Sequence, residues 1–198
     1  MKKNLFFFIS IWFFFQANAI TLLVTNTNDS GPGSLREAAL SSLSHKYIRF
    51  DPALIANGSD TIKLNSKIII NELKSIVGLY NSSDTLYISG QGNYQIFEYG
   101  PSCFPSSTVT LDSLCLIDGF TLGNGGAFSL HSSYHFIISN SLFRNCTANL
   151  GGALYYKTVY PGCALDYVEN GQVEINNSTF ENCSATQGGA MYLYTNPF

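Results

Sequence analysis

Few residues in this chain have the types and spacings that support chemistry. His131 and His135 stand four apart in a segment that reads as a strand, a spacing that puts both on one face. A zinc hydrolase needs a helix with a Glu between such histidines. No Glu lies there, so no metal site is expected. The cysteines Cys103, Cys115, Cys146, Cys163 and Cys183 include no C-x-x-C pair, which sets aside a zinc knuckle. Gly123-Asn124-Gly125-Gly126 lacks the Lys-Ser/Thr and the helix of a phosphate loop and reads as a turn. No cofactor is expected.

Sugar cleavage would require clustered carboxylates holding Ca²⁺ beside a basic side chain, or two acids flanking the scissile bond. The acids here are scattered along the chain, and Arg36, Arg49 and Arg144 are the only arginines. Asp112 and Asp118 could approach across a turn, yet each reads better as a solvated turn residue. The chain is therefore expected to be non-enzymatic. A carbohydrate-active lyase or hydrolase is the rival reading.

The elements that must position these residues begin after an export signal. Lys2 and Lys3 precede an apolar run over 5–15, which closes on Ala17-Asn18-Ala19. A basic start, a short apolar stretch and a small-x-small site make a secretory signal peptide, cleaved after Ala19. The run falls short of the roughly 20 residues that a spanning helix needs. The mature part, 20–198, keeps 8 basic residues against 13 acidic, a net charge of −5. That balance argues against nucleic acid as a partner.

Internal repeats dominate the mature chain. Residues 139–156 and 176–193 match at 10 of 18 positions with an offset of 37. The matches include Phe143/Phe180, Asn145/Asn182, Cys146/Cys183 and Gly151-Gly152-Ala153/Gly188-Gly189-Ala190. A weaker copy lies 26 residues upstream, from Leu116-Ile117-Asp118-Gly119 to Gly125-Gly126-Ala127. The extra length falls in 157–172, an insertion read as a loop projecting from one face.

Between the repeats, short β-rich segments at 47–50, 61–64, 67–70, 86–89, 108–111 and 135–138 alternate polar and apolar residues between turn formers. One helix is expected at about 34–44, after a strand over 22–26. Ser34 and Glu37 form its capping box, and Leu35, Ala38, Ala39 and Leu43 line one face.

Units of three short strands cannot bury an apolar side alone, but stacked units can. The sequence thus predicts an all-β solenoid, a parallel β-helix with a short amphipathic N-terminal capping helix. The cap spans 20–46 and the Gly-Gly-Ala repeats 113–198. Phe143 should lie over Phe180 in the core. Asn145 and Asn182 should form a ladder at a turn, each amide bonding its copy and nearby backbone. The paired glycines should turn the backbone with positive φ. Cys146 and Cys183 should stack, as reduced thiols or as a disulfide that export permits. The sequence stops soon after Gly188-Gly189-Ala190 with only Pro197 as a stop signal, so a C-terminal truncation is expected.

Phe143-Arg144-Asn145 with Gly151-Gly152-Ala153-Leu154, and Phe180-Glu181-Asn182 with Gly188-Gly189-Ala190-Met191, resemble the paired repeats of the chlamydial polymorphic outer membrane protein family. The likeness is at the level of the repeat: the spacing here is Phe-x-Asn, and Met191 replaces an aliphatic residue. Ser34-Leu35-Arg36-Glu37-Ala38 resembles the motif that opens many bacterial secreted right-handed parallel β-helix proteins, with Gly33 where a Cys often stands. The resemblance implies a right-handed coil, a secreted or outer-membrane surface location, and adhesion to a host-cell or extracellular glycan or protein. It also implies that any membrane attachment would run through a C-terminal anchor, expected to be missing with the truncated part. Seven Asn-x-Ser/Thr sequons, at Asn28, Asn57, Asn81, Asn145, Asn176, Asn177 and Asn182, are read as turns in a bacterial setting.

Overall fold

The β-rich segments pair in parallel with the equivalent segment of the next circuit, so each short strand gains a neighbour and a shared apolar face. A computed structural model describes residues 20–42, 46–70, 73–80, 83–99, 108–131, 135–157 and 172–194. The expected signal peptide with its site at Ala19, Leu43, His45, Asn81, Cys103, Cys163, Pro197 and most of 157–172 lie outside these residues.

The chain opens with β1 (Thr21–Val24), α1 (Leu35–Leu40) and β2 (Lys46–Phe50), followed by a 3₁₀ turn at Pro52–Ile55. Then come β3 (Asp60–Lys63), β4 (Ile68–Ile70), β5 (Leu73–Val77), β6 (Leu86–Ser89), β7 (Phe97–Tyr99) and β8 (Thr108–Asp112). The repeat region holds β9 (Cys115–Ile117), β10 (Phe128–His131), β11 (His135–Ser139), β12 (Leu142–Arg144), β13 (Thr147–Leu150) and β14 (Leu154–Lys157). It continues with β15 (Val173–Asn176), β16 (Thr179–Glu181), β17 (Ser184–Gln187) and β18 (Met191–Tyr194).

Successive strands fall into different sheets. The first sheet runs β1-β2-β5-β8-β11-β15, the second β3-β6-β9-β12-β16 and the third β4-β7-β10-β14-β18, with β13 and β17 as a separate pair. The pairings within them are parallel. Among the described residues, one α-helix with mostly β-strands, in parallel sheets visited in turn by each circuit, is compatible with a β-solenoid.

Register places like side chains in columns. Ile62, Ile88, Leu116, Phe143 and Phe180 align in the second sheet. Ile68, Phe97, Phe128, Leu154 and Met191 align in the third. Ile48, Ile76, Leu111, Ile138 and Ile175 align in the first. All three columns meet in one core, whose last rung, Ile175, Phe180 and Met191, is only partly buried. Each fully buried Leu, Ile or Phe in these columns contributes about 1.5–3 kcal/mol.

The helix is shorter than its apolar pattern suggests. Ser34 caps it, its Oγ accepting from Glu37 N at 3.2 Å, while Glu37 Oε2 accepts from Gly33 N at 2.6 Å rather than from Ser34 N. The helix ends at Leu40 because Ser41 turns to an extended conformation (φ −50°, ψ 135°). Lys46, buried at 1% exposure, reaches back and donates from Nζ to Ala39 O and Ser41 O, each at 2.6 Å. It thereby satisfies carbonyls that a longer helix would have bonded internally. Leu35, Ala38 and Ala39 are buried, and α1 packs against β1 and β4, the end strands of their sheets. The preceding strand also stops early, at Val24, where Thr25 N turns to Gly33 O.

The widest range of step lengths is on one side. The step from the third sheet back to the first runs from Ile70 to Leu73, Tyr99 to Thr108, His131 to His135 and Lys157 to Val173. The insertion expected at 157–172 falls in this step.

Candidate functional site

The repeat residues do not converge on a cleft; they line up along the stack. Phe143 and Phe180 lie face to face, ring centroids 4.7 Å apart and planes 6° off parallel. Asn145 and Asn182 both take left-handed backbone, at φ 55° and 52°, and Asp118 above them does the same at 53°. Asn tolerates that region better than most residues because its short amide bonds locally. The ladder bond runs to an acid rather than to a like amide, since Asn145 Nδ2 donates to Asp118 Oδ1 at 3.1 Å. A second left-handed column, Ser113, Asn140 and Asn177, stands between the first and second sheets, and there Asn140 Nδ2 donates to Asp112 Oδ1 at 2.9 Å. Asp112 and Asp118 therefore belong to separate columns, each engaged by its own Asn.

The Gly-Gly-Ala turns need glycine for two different reasons. Gly151 sits at φ 58° and Gly188 at φ 80°. Gly152 has no positive φ, but a Cβ there would lie 2.5 Å from Ser184 O of the next coil. Gly189 is the reverse, with φ 51° and open space around it. Ala127, Ala153 and Ala190 stack through Ala127 N to Ala153 O at 3.0 Å and Ala153 N to Ala190 O at 2.8 Å. The upstream copy is not a uniform 26 residues away. Phe120 bridges Thr147 and Asn124 bridges Leu150, so the offset drops from 27 to 26 between them.

Cys146 and Cys183 stand opposite each other by register and are free thiols here. Cys146 Sγ lies 3.9 Å from Leu116 O, and Cys183 Sγ sits 3.5 Å from Phe143 O, the same relation one coil on. A hydrogen bond with Cys146 lowers the Cys183 thiol to about 7, and the same bond together with burial pushes the Cys146 thiol far up. Cys115 is buried but pairs with Leu142, outside this column, and burial raises it to about 12.

His131 and His135 are not on one strand face. The first ends β10 and the second begins β11, in different sheets, because the chain changes sheet between them. His135 Nε2 lies 2.8 Å from Glu174 Oε1. His131 tilts against Tyr155, ring centroids 5.2 Å apart, and burial lowers its pKa. Among the described residues, no three His, Cys, Asp or Glu side chains converge as a metal site.

An aromatic column on the third sheet was missed in the sequence, although Tyr155 and Tyr192 recur at the same offset of 37 as the repeat. Their rings stack at 5.6 Å and 12°, and Lys157 Nζ lies 5.3 Å from the Tyr194 centroid. On the second sheet, Arg144 lies over Tyr87 at 5.7 Å. Other charged groups serve local structure. Arg36 pairs with Asp29 at 2.6 Å and donates to Ser66 O and Lys67 O, so it ties the helix to the turn before β4. Lys67 pairs with Glu98, Asp51 accepts from Ala53 N and Asp60 from Thr61 N. A polar recess of about 510 Å³ near Asn26, Asn57 and Asp60 brings together no acid pair.

No protein-family model matches the chain, and no curated protein matches it. Among the described residues no helix is long and apolar enough to cross a membrane.

Proposed function

We propose that this protein is an exported, non-enzymatic surface or extracellular β-helix that binds an extracellular or host-cell glycan or protein, as an adhesin or a passenger-domain fragment does. The observation that carries this reading is the ordered aromatic row at the end of the third sheet, where half-buried Tyr192 is braced by stacking on buried Tyr155 and Lys157 lies beside exposed Tyr194. Flat aromatic groups with an adjacent cation supply rigid contact area at low entropic cost. Of the strands that carry the row, β14 leads directly into the 157–172 insertion.

The coil is right-handed in this reading, because crossover connections between parallel strands of one sheet take that hand almost without exception. The helix α1 is its lid. Support for the lid comes from the burial of Leu35, Ala38 and Ala39 and from contact with the end strands β1 and β4, which would otherwise present open edges. Export follows from the Lys2/Lys3 start and the apolar run before Ala19.

The rival, a polysaccharide lyase or hydrolase, needs free acids and a free base in one groove. Arg36 is instead tied into the helix junction, and Asp112 and Asp118 are held by Asn140 and Asn145. The test is immobilised mature protein, residues 20–198, probed with glycan arrays and with host-cell-surface extracts, beside a reducing-sugar assay on acidic polysaccharides. Saturable binding weakened by Tyr192→Ala with no sugar release supports the reading. Multiple-turnover sugar release overturns it.

A further inference from the structure

We propose that Cys146 and Cys183 form a reversible thiol–disulfide staple between two adjacent coils, closed by a low-molecular-weight disulfide of the glutathione class. This goes beyond the binding role proposed above and does not depend on it.

The geometry is set by register on both sides of the pair. Arg144 is opposite Glu181 and Thr147 opposite Ser184, so Cys146 stands opposite Cys183 at the same offset. Neighbouring parallel strands lie about 4.8 Å apart, which falls inside the roughly 4.4–6.8 Å window of Cα separations that a disulfide spans. Each sulfur lies against the same carbonyl column, Cys146 Sγ near Leu116 O and Cys183 Sγ near Phe143 O, so the two thiols face the same way.

The column contains one such pair among the described cysteines. Toward the N-terminus, Gly119 takes the equivalent position, as Phe120 bridging Thr147 requires. Cys115 lies in the Leu142 column instead. The staple can therefore close in one way only among these residues.

The two thiols differ in access, and this sets the order of events. Cys183 is half-buried on the last described rung, whereas Cys146 is fully buried. The neighbouring Cys146 also lowers the Cys183 thiol and so favours its thiolate, which is the attacking species in thiol–disulfide exchange. The Cys183 thiolate attacks one sulfur of the small disulfide. That S–S bond breaks, one small thiolate departs, and a mixed disulfide remains on Cys183. Cys146 gives its proton to the departing thiolate, and its sulfur attacks Cys183 Sγ. The Cys146–Cys183 bond forms as the second small thiolate leaves and takes the proton that Cys183 lost to solvent. Two electrons pass from the protein dithiol to the small disulfide, which is reduced to two thiols. Excess small thiol reverses both steps.

The experiment treats the folded, reduced mature protein with oxidised glutathione at neutral pH, blocks residual thiols with N-ethylmaleimide and maps peptides without reduction. The expected product is a Cys146–Cys183 cross-linked peptide, with two fewer blockable thiols per chain, reversed by reduced glutathione. Cys146→Ala should accumulate a glutathione adduct at Cys183, and Cys183→Ala should leave Cys146 unmodified. A wild-type adduct at Cys183 that does not resolve overturns the proposal. So does a Cys183 cross-link to any other cysteine, or a pair left untouched while other cysteines react. The wild-type arm decides the matter whether or not either variant folds.

Discussion

The ring of Phe180 lies on that of Phe143 at a centroid distance of 4.7 Å with the planes 6° from parallel, joining the last two described coils through their core. Phe143 is fully buried, whereas Phe180 is half-buried because no described coil follows it. Truncating a buried Phe leaves a cavity and costs about 3–5 kcal/mol. Phe143→Ala should therefore lower the unfolding free energy measured in urea by most of that amount and Phe180→Ala by clearly less. Equal losses would mean that the two rings share the same burial in solution.

Lys46 closes the C-terminal end of α1 with two hydrogen bonds while fully buried. Lys46→Met keeps the apolar stem and removes the donors that Ala39 O and Ser41 O accept from. Loss of the donor to the buried Ala39 O costs about 1–3 kcal/mol, so the unfolding free energy should fall by at least the lower figure. Hydrogen exchange should rise first in 35–41, ahead of the repeat strands.

Gly152 and Gly189 occupy the same position in successive repeats but should respond differently to alanine. At Gly152 the new Cβ meets Ser184 O at 2.5 Å and Ser184 N at 2.6 Å, so the coils must separate. Overpacking of that kind costs about 1–3 kcal/mol. At Gly189 there is space and only the left-handed backbone to oppose the change, worth about 1–2 kcal/mol. Thermal melts of the two variants, read beside Gly189→Asn, separate steric from conformational cost. Asn should recover part of the Gly189→Ala loss.

Thiol ionisation gives a pH signature. In the reduced protein Cys183 is held at about 7 by the hydrogen bond from Cys146, against an ordinary value of 9.0. A depressed acid stabilises the fold above its unfolded value, and that contribution fades as pH falls through the folded value. Cys115 shows the opposite sign: burial holds it near 12, so above pH 9.0 the unfolded chain releases a proton that the fold retains. Stability under reducing conditions should rise from pH 7 to 9.0 and decline beyond it. Iodoacetamide should label Cys183 with a midpoint near 7 while Cys115 stays unlabelled. Cys183→Ser should abolish the rise and leave the decline.

The repeated Phe, Asn, Cys and Gly-Gly-Ala positions were legible from the sequence because a parallel stack repeats its chemistry at the same register. Identical residues at a fixed offset, such as Phe143 and Phe180, must then meet across the strand spacing. The alternation of apolar residues likewise gave the strands, and Ser34 with Glu37 gave the start of α1. The tertiary structure decided what local pattern leaves open. It ended α1 at Leu40 because a lysine six residues on supplies the carbonyl partners. It split His131 from His135 because the chain changes sheet between them. It gave Asn145 an acid, Asp118, as its ladder partner, since the circuit above presents Asp at that turn. It also made Gly152 a packing constraint and Gly189 a backbone one, because only the neighbouring coil fixes whether a Cβ has room. Periodicity names the positions that stack, while the atoms of the adjacent coil determine the bond each position makes.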